Sequence, residues 1–497
     1  MKLFSYAISI FRCYSSKASF FNQTKWGKNN YFKNKTKKSG NDTPKRPRIK
    51  WTDEQNQVLD AISNGKSVFI TGSAGTGKTF VLERAIKTLK KIHGRSNVYV
   101  TASTGVAALS LGGQTLHSFA GVGIGDADRA SLVERVLSNK RAHWRWKRVK
   151  ALVIDEASMI DTELFEGLEY IARSFRNEEG MGENKIWGGI QLVVSGDFFQ
   201  LPPVLKKKKK GAKKFAFEAD CWNASFDMQI ELTKPFRQLK DKTLIRILQG
   251  IRKGECDPGD LKFLEGCCSG GEPDPSAVRL YPRIEDVNKV NKMKMESLKE
   301  NIVVYSAIDL GEDPWKRQLK HGIAPDELEL CKGARVMLTK NKNPWRKLVN
   351  GATGTVKDFS QASDEQHKKY KACDGFSNLP VVEFDCGIEM KVEPEIWTVM
   401  DGDKVVAVRR QIPLILSWAL SIHKCQGMTL DKLHTDLKRV FDFGMVYVAL
   451  SRVLLRGLHL AGFDPSKIKA HPKVLQFYSK FSGKQDEQGE DSIADKN

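Results

Sequence analysis

The sequence predicts an α/β fold, in which apolar strands alternate with helices, and three observations support that prediction. An apolar run at 67–71 leads through a glycine-rich loop into a helical pattern from Phe80 to Lys91. Two more apolar runs, 151–154 and 189–195, end in acidic or polar residues, as strands do at the ligand-binding edge of such sheets. A length of 497 residues, with 40% hydrophobic and 28% charged residues, indicates two or three packed globular units.

The glycine-rich loop after the first strand matches the phosphate-loop pattern G-x-x-x-x-G-K-[ST]. Its glycines let backbone N–H groups approach phosphate oxygens, and the following helix adds its positive N-terminal end. We expect Lys78 to neutralise the phosphates and Thr79 to reach Mg²⁺. The residues predicted to bind ATP in this loop are Gly72, Ser73, Ala74, Gly75, Thr76, Gly77, Lys78 and Thr79.

Polar residues follow the second and third apolar strands. Asp155 is predicted to hold Mg²⁺ together with Thr79, and the adjacent Glu156 is predicted to act as the general base that polarises the attacking water. Without the upstream phosphate loop, such a pair would commonly mark only a helix start. Gln200 follows the third strand, where it is predicted to sense the γ-phosphate.

The positive charge of the chain is concentrated at its start. Residues 1–50 hold thirteen Lys or Arg and one acid, Asp42, so they carry +12 of the net charge of +22. An acid-free basic start rich in Ser, Asn and aromatic residues predicts a mitochondrial presequence. A basic arm that grips nucleic acid is the alternative, and the basic stretch 44–50 leaves a minor nuclear pool open.

Cysteine spacing and hydropathy exclude two classes of protein. The nine cysteines form no Cys-x-x-Cys pair, which argues against a zinc site and favours a reducing compartment. The apolar stretch from Leu3 to Phe11 is far too short for a membrane span, and no later stretch approaches about 20 apolar residues.

A resemblance to a known family emerges from the segments around these motifs. The sequence Asp155 to Met159, the stretches 171–173 and 188–192, and the segment from Gly196 to Val204 resemble the signature of the Pif-one helicases, a branch of superfamily-one DNA helicases. The likeness extends over roughly residues 51–464. It implies two RecA-like P-loop motor domains, with an SH3-like β-barrel insertion in the second.

The resemblance also implies roles for single residues. Gln55 is similar in position to the family's adenine reader, and Arg237 and Arg452 to two arginine fingers that a second domain supplies to the γ-phosphate. The residues that it implies for DNA binding are Thr104, His117, Phe119, His423, Lys424, Val446, Tyr447, Val448, Ala449, Leu450, Ser451 and Arg452.

Domain boundaries follow from the motifs. We expect a presequence and linker at 1–50, a first motor domain at 51–226, a second at 227–482 with its insertion at about 350–410, and a disordered tail at 483–497. Residues 120–148 are predicted to form a small insertion that contacts duplex DNA through a basic helical face around Trp144 and Trp146, although a solvated face explains it equally well. The lysine run 206–214 is either a phosphate-binding loop or a soluble insertion.

The resemblance implies a monomeric ATP- and Mg²⁺-dependent 5′-to-3′ DNA helicase for genome maintenance, in mitochondrial replication, recombination and repair. Its implied partners are single-stranded DNA, duplex or G-quadruplex junctions and RNA–DNA hybrids. A single-stranded-DNA-binding protein with a vestigial ATPase is the alternative from another class. A GTPase would need an Asn-Lys-x-Asp sequence, and the candidate stretch 341–344 lacks its Asp.

Overall fold

The structure is a computed structural model, and it describes residues 50–123, 128–177, 185–203, 214–237, 241–268, 274, 277–313, 315–320, 324–340, 342–343, 346, 348, 350–361, 376–401, 404–426, 428 and 430–490. The described residues from Thr52 onward form one compact unit. The predicted presequence up to residue 49, the segment 178–184 and the lysine run at 206–213 lie outside the described residues.

The first part of the chain forms a six-stranded parallel sheet with the order β3-β2-β4-β5-β1-β6. Its strands are β1 (Val68–Gly72), β2 (Val98–Ala102), β3 (Gln114–Thr115), β4 (Ala151–Asp155), β5 (Gln191–Ser195) and β6 (Met228–Leu232). The helices that accompany it are α1 (Asp53–Ser63), α2 (Lys78–Ile92), α3 (Gly105–Ser110), α4 (Leu116–Ala120), α5 (Arg129–Ser138), α6 (Lys140–Arg148) and α7 (Thr162–Asn177).

Buried runs explain why the central strands form. All five residues of β1, β2, β4 and β5 are buried, as expected for parallel strands covered on both faces. Because parallel strands share one carboxyl edge, the loops after β1, β4 and β5 meet there. This arrangement brings the phosphate loop, Asp155 and the segment from Gly196 to Gln200 to the same edge of the sheet.

The second part of the chain contains a second parallel sheet and several antiparallel strands. Its helices are α8 (Lys242–Lys253), α9 (Pro258–Gly266), α10 (Ile284–Ser297), α11 (Trp315–Leu319), α12 (Met445–Leu450) and α13 (Pro472–Glu490). Its strands are β7 (Val278–Tyr281), β8 (Val303–Ser306), β9 (Ile308–Gly311), β10 (Glu327–Leu330), β11 (Arg335–Leu338), β12 (Thr353–Gln361), β13 (Asn378–Phe384), β14 (Glu389–Lys391), β15 (Glu395–Asp401), β16 (Lys404–Gln411), β17 (Leu414–Leu416), β18 (Ala419–Ser421), β19 (Leu433–Asp436) and β20 (Leu458–Gly462).

The four-stranded sheet β18-β7-β19-β20 is parallel, which confirms the α/β class with two parallel sheets. The strands inserted between β7 and β18 form antiparallel sheets with the orders β14-β13-β12-β11-β17, β15-β16-β9 and β10-β8. The SH3-like character of this insertion stays a prediction. One apolar core joins the two parallel sheets, from Phe69 and Leu152 to Val278 and Val448.

The segment that carries the predicted basic helical face is divided into two helices. Asn139 ends α5, and its side chain accepts the N–H of Ala142 in the first turn of α6. Helix α13 has the bounds Pro472–Glu490, and the disordered tail expected at 483–497 stays a prediction. Among the described residues, no helix is long and apolar enough to cross a membrane.

Candidate active site

The phosphate loop connects β1 to α2 in the predicted context. Gly77 has φ of 86° and caps α2 in the left-handed conformation, which glycine adopts at little cost. The Lys78 ammonium donates to the carbonyl oxygens of Gly72 at 2.6 Å and Ser73 at 3.0 Å. Burial lowers the pKa of Lys78, while the carboxylates of Asp197, Glu156 and Asp155 oppose that shift. Thr79 lies exposed in the first turn of the helix.

Gln55 and Phe236 lie beside the phosphate loop. Gln55 is buried, and its side chain accepts the Thr52 N–H at 3.1 Å, which fixes the side chain at the start of α1. A Cβ on Gly77 would lie 3.2 Å from Gln55 Nε2 and 3.6 Å from the ring of Phe236. The ring of Phe236 is 38% exposed, so it offers an apolar face for stacking beside an amide that can read a base edge. These residues fit an adenine, and the sequence pattern did not single out Phe236.

The two acidic residues lie at the end of β4. The Asp155 carboxylate accepts the Glu156 N–H at 2.9 Å, and Glu156 has φ of 53°, in the left-handed region that costs energy for a residue other than glycine. The Ser103 hydroxyl donates to the Glu156 carbonyl at 2.7 Å and holds this conformation. The backbone at position 196 packs closely against the residue after Glu156. Only glycine fits there, because a Cβ on Gly196 would lie 2.9 Å from the backbone nitrogen of Ala157.

Burial and mutual repulsion perturb both carboxyl groups. Burial raises the pKa of Asp155. Burial, and then the charge of Asp155, raise the pKa of Glu156 to about 7, which suits a proton acceptor near neutral pH. Carboxylate and hydroxyl oxygens are the ligands that Mg²⁺ prefers, and a dication would relieve the repulsion within the pair. Asp155 and Thr79 therefore fit a magnesium ion.

Two arginines from beyond the first sheet lie beside each other. The Arg237 guanidinium donates to the Ser451 carbonyl at 3.1 Å, and burial followed by the charge of Arg452 lowers the pKa of Arg237 to about 9. Arg452 is buried, donates to the Val448 carbonyl at 2.9 Å, and lies close enough to Glu156 to lower its pKa. Two neighbouring guanidinium groups form a site that an anion would stabilise.

Gln426 is a further residue of this site that the sequence pattern did not single out. It follows β18, and its amide donates to the Glu156 Oε2 carboxylate oxygen at 2.8 Å. Gln200 is buried, with its Nε2 3.5 Å from the Asp197 carboxylate. The only sequence signal for Gln426 is its place in the segment 417–427 that resembles the family's coupling motif.

Several residues predicted to bind DNA are buried instead. Phe119 is fully buried between Tyr99 and Trp146, with ring centroids 5.0 and 4.9 Å away, so its ring packs in the core and not on the surface. Residues 446–452 are also buried, because α12 packs in the core that joins the two sheets. The Tyr447 hydroxyl instead accepts the Ala74 N–H of the phosphate loop at 2.7 Å.

The remaining DNA-binding candidates occupy different environments. His423 and Lys424 are exposed, whereas Thr104 and His117 are partly buried. The Thr104 hydroxyl accepts the Ala107 N–H at 3.2 Å at the start of α3. The structure therefore leaves His423 and Lys424 with the most accessible side chains of the predicted set.

The side chains of α6, the helix predicted to contact duplex DNA, divide between the core and the surface. Arg145 is fully buried, and its guanidinium donates to the carbonyls of Phe119 and Ser118, both at 2.8 Å. Trp146 is also buried, so neither side chain belongs to a solvent-facing surface. Trp144 is 47% exposed and Arg148 lies over its ring at 4.3 Å, which leaves these two side chains on the outer face of α6.

Comparison with known proteins places these features in a family. The PIF1-like helicase family matches residues 50–259. The chain is 40% identical to the ATP-dependent DNA helicase PIF1 of Xenopus laevis over 435 residues, which cover 86% of this chain and 64% of that protein. It thus spans just under two thirds of the length of the curated relatives that it matches.

Two solved structures resemble the whole fold. The crystal structure of the Pif1 helicase from Candida albicans is 38% identical with a TM-score of 0.69, and the match covers 87% of this chain and 100% of that chain. The Bacteroides Pif1 helicase in complex with ADP-AlF3 and ssDNA is 27% identical with a TM-score of 0.56, covering 88% of this chain and 98% of that chain. These matches confirm the α/β fold with RecA-like motor domains.

Proposed function

This chain belongs to the PIF1-like helicase family, and from that membership we propose that it is an ATP-dependent DNA helicase and a DNA-stimulated ATPase. One observation carries the proposal. Lys78, Asp155 and Glu156 from the first sheet interact electrostatically with one another, and Arg452 from beside the second sheet interacts with Glu156. Such a site is complete only when both sheets contribute, as a motor that couples hydrolysis to domain movement requires.

The side chains have separate tasks in the proposed reaction. Lys78 binds the phosphates, Glu156 accepts a proton from the attacking water, and Arg237 and Arg452 stabilise the negative charge that develops on the transferred phosphoryl group. Gln55 and Phe236 hold the adenine. Asp155 and Thr79 would hold Mg²⁺, which supplies charge neutralisation between the phosphate groups.

The proposed substrate is single-stranded DNA, along which the protein moves 5′ to 3′ and separates duplexes. The relative from Bacteroides was crystallised with ssDNA, which supports this substrate class. His423 and Lys424 are the accessible side chains that we propose for strand contact. We extend the proposal to G-quadruplexes and RNA–DNA hybrids, to action as a monomer, and to work in mitochondrial genome maintenance, including replication, recombination and repair.

Strand separation on duplexes that carry either a single 5′ overhang or a single 3′ overhang tests activity and polarity together. We expect ATP-dependent unwinding with the 5′ overhang only, and no unwinding by Lys78→Ala, which should still bind single-stranded DNA. An intact protein that binds DNA but whose ATP turnover is not raised by single-stranded DNA would instead support the alternative, a binding protein with a vestigial ATPase.

The proposed location is the mitochondrion, because residues 1–50 are basic and nearly free of acids. A fusion of these residues to a fluorescent reporter should enter mitochondria, and a cytosolic reporter would refute the proposal. A nuclear signal from the same fusion would reveal the minor nuclear pool. We also propose motor domains at 51–226 and 227–482.

A further inference from the structure

Hydroxyl groups of two tyrosines from the end of the chain hold the phosphate loop at two points. The Tyr478 hydroxyl, on α13, lies 2.5 Å from the hydroxyl of Thr71, which directly precedes the first residue of the loop. The Tyr447 hydroxyl, on α12, accepts the N–H of Ala74, the third residue of the loop. All four residues are buried, so these contacts are shielded from water.

A buried ion pair joins the two tyrosines. Arg252 donates to the Asp197 carboxylate at 3.1 Å, and its guanidinium lies over the ring of Tyr478 at 5.0 Å. The Tyr447 hydroxyl lies 3.4 Å from the other oxygen of Asp197. We call Tyr447, Tyr478, Asp197 and Arg252 the two-tyrosine cluster.

Each tyrosine hydroxyl makes two hydrogen bonds. The Tyr478 oxygen accepts the Phe198 N–H at 3.2 Å and shares a second hydrogen bond with the Thr71 hydroxyl, in which either hydroxyl can donate. The Ala74 N–H donates to the Tyr447 oxygen, so that proton points to Asp197. Removal of either hydroxyl would leave a buried backbone N–H and a second polar group without these bonds.

We propose that Tyr478 and Tyr447 are positioning residues that fix the conformation of the phosphate loop, so that α13, the last described helix, is a working part of the nucleotide site. The proposal rests on the proposed ATP binding. Neither tyrosine needs to touch the nucleotide, because each acts through the residue that it holds. If the loop also samples conformations that cannot bind nucleotide, the apparent affinity falls in proportion to the fraction of molecules whose loop is in the binding conformation.

The test compares three tyrosine-to-phenylalanine variants of the full chain. Tyr478→Phe and Tyr447→Phe remove one hydroxyl each and keep the ring, so packing is retained. Tyr305→Phe is the control, because this buried tyrosine also loses a hydrogen bond, 2.8 Å to the Asn378 carbonyl, but lies in the separate core of the inserted sheets. The measurements are the Kd of a fluorescent ADP analogue with Mg²⁺ and the melting temperature.

We expect Tyr478→Phe and Tyr447→Phe each to weaken ADP binding about fivefold to twentyfold, the worth of one buried hydrogen bond. Tyr305→Phe should stay within about twofold of the parent protein. Thr71→Val, which removes the other partner of Tyr478, should weaken binding as Tyr478→Phe does. The proposal would be overturned if every variant bound ADP as tightly as the parent protein and all variants lost the same amount of melting temperature.

Two outcomes are distinguishable. A parent protein that binds no nucleotide would refute the proposed function itself. A parent protein that binds nucleotide, with positioning variants indistinguishable from Tyr305→Phe, would refute only the role of the two tyrosines.

Discussion

The amide of Gln426 donates a hydrogen bond of 2.8 Å to the Glu156 carboxylate, although the two residues lie 270 positions apart in the chain. Glu156 follows β4 of the first sheet and Gln426 follows β18 of the second. The bond forms only while the two sheets are close, and it favours the ionised carboxylate. The ionisation of the proposed base is thereby linked to the closed arrangement.

Loss of this bond should shift the pH dependence of ATP hydrolysis. In Gln426→Leu the pKa of Glu156 should rise above about 7, because one stabilising contact of its charged form is lost. We expect the acidic limb of the pH–rate profile to move upward by about half a unit to one unit. Turnover should recover near pH 9 if only ionisation is affected, and a uniform loss at every pH would contradict this explanation.

Replacement of Glu156, the proposed base, should lower the ATP turnover and raise the stability of the fold. The pKa of about 7 for folded Glu156 exceeds the ordinary value of 4.5, so the folded state binds the proton more tightly than the unfolded state. Stability therefore falls as pH rises from 4.5 to 7, and Glu156→Gln escapes this loss. We expect a higher melting temperature than the parent protein at pH 8, no such gain at pH 4.5, and turnover lower by about 10²–10⁴.

The buried and exposed members of the predicted DNA-binding set should respond differently. Phe119→Ala removes a fully buried ring and should cost about 3–5 kcal/mol of folding free energy. Lys424→Ala should leave the melting temperature unchanged, because the side chain is exposed. It should weaken single-stranded DNA binding and reduce the salt slope of log K by about 0.7. A Lys424 variant with an unchanged salt slope would remove this residue from the DNA path.

The ion pair between Asp197 and Arg252 should contribute strongly to folding. Asp197 is fully buried and Arg252 nearly so, and Asp197→Asn leaves the guanidinium with the Glu231 carboxylate, 2.8 Å away, as its remaining counter-charge. We expect a loss of about 3–5 kcal/mol in chemical unfolding. Arg129→Ala, which breaks the exposed pair with Glu166, is the control and should have a much smaller effect. Equal losses would mean that burial does not decide the strength of these pairs.

The phosphate loop and the acidic pair could be predicted because each is a local pattern. A strand, a glycine-rich loop and a helix follow one another within residues 67–91, and their geometry depends on backbone conformations that nearby residues specify. The apolar runs of β1, β4 and β5 were visible for the same reason. Their shared carboxyl edge then follows from the parallel arrangement.

The burial of aromatic side chains could not be predicted from such local sequence patterns. Phe119 and Tyr447 stand in segments that resemble DNA-contacting motifs, yet one lies in the core and the other contacts the phosphate loop. An aromatic side chain carries the same sequence signal whether it stacks on a base or on Trp146. Which of these occurs depends on which elements pack around it.

The phosphate loop, the carboxylates beside it and the α/β class could be read from the sequence, because each depends on residues that lie close together in the chain. The distant residues that complete the site could be identified only from the folded chain. Gln426 reaches Glu156, and Tyr478 reaches Thr71 across 407 positions. Such contacts arise from the packing of one element on another, and no local spacing specifies them.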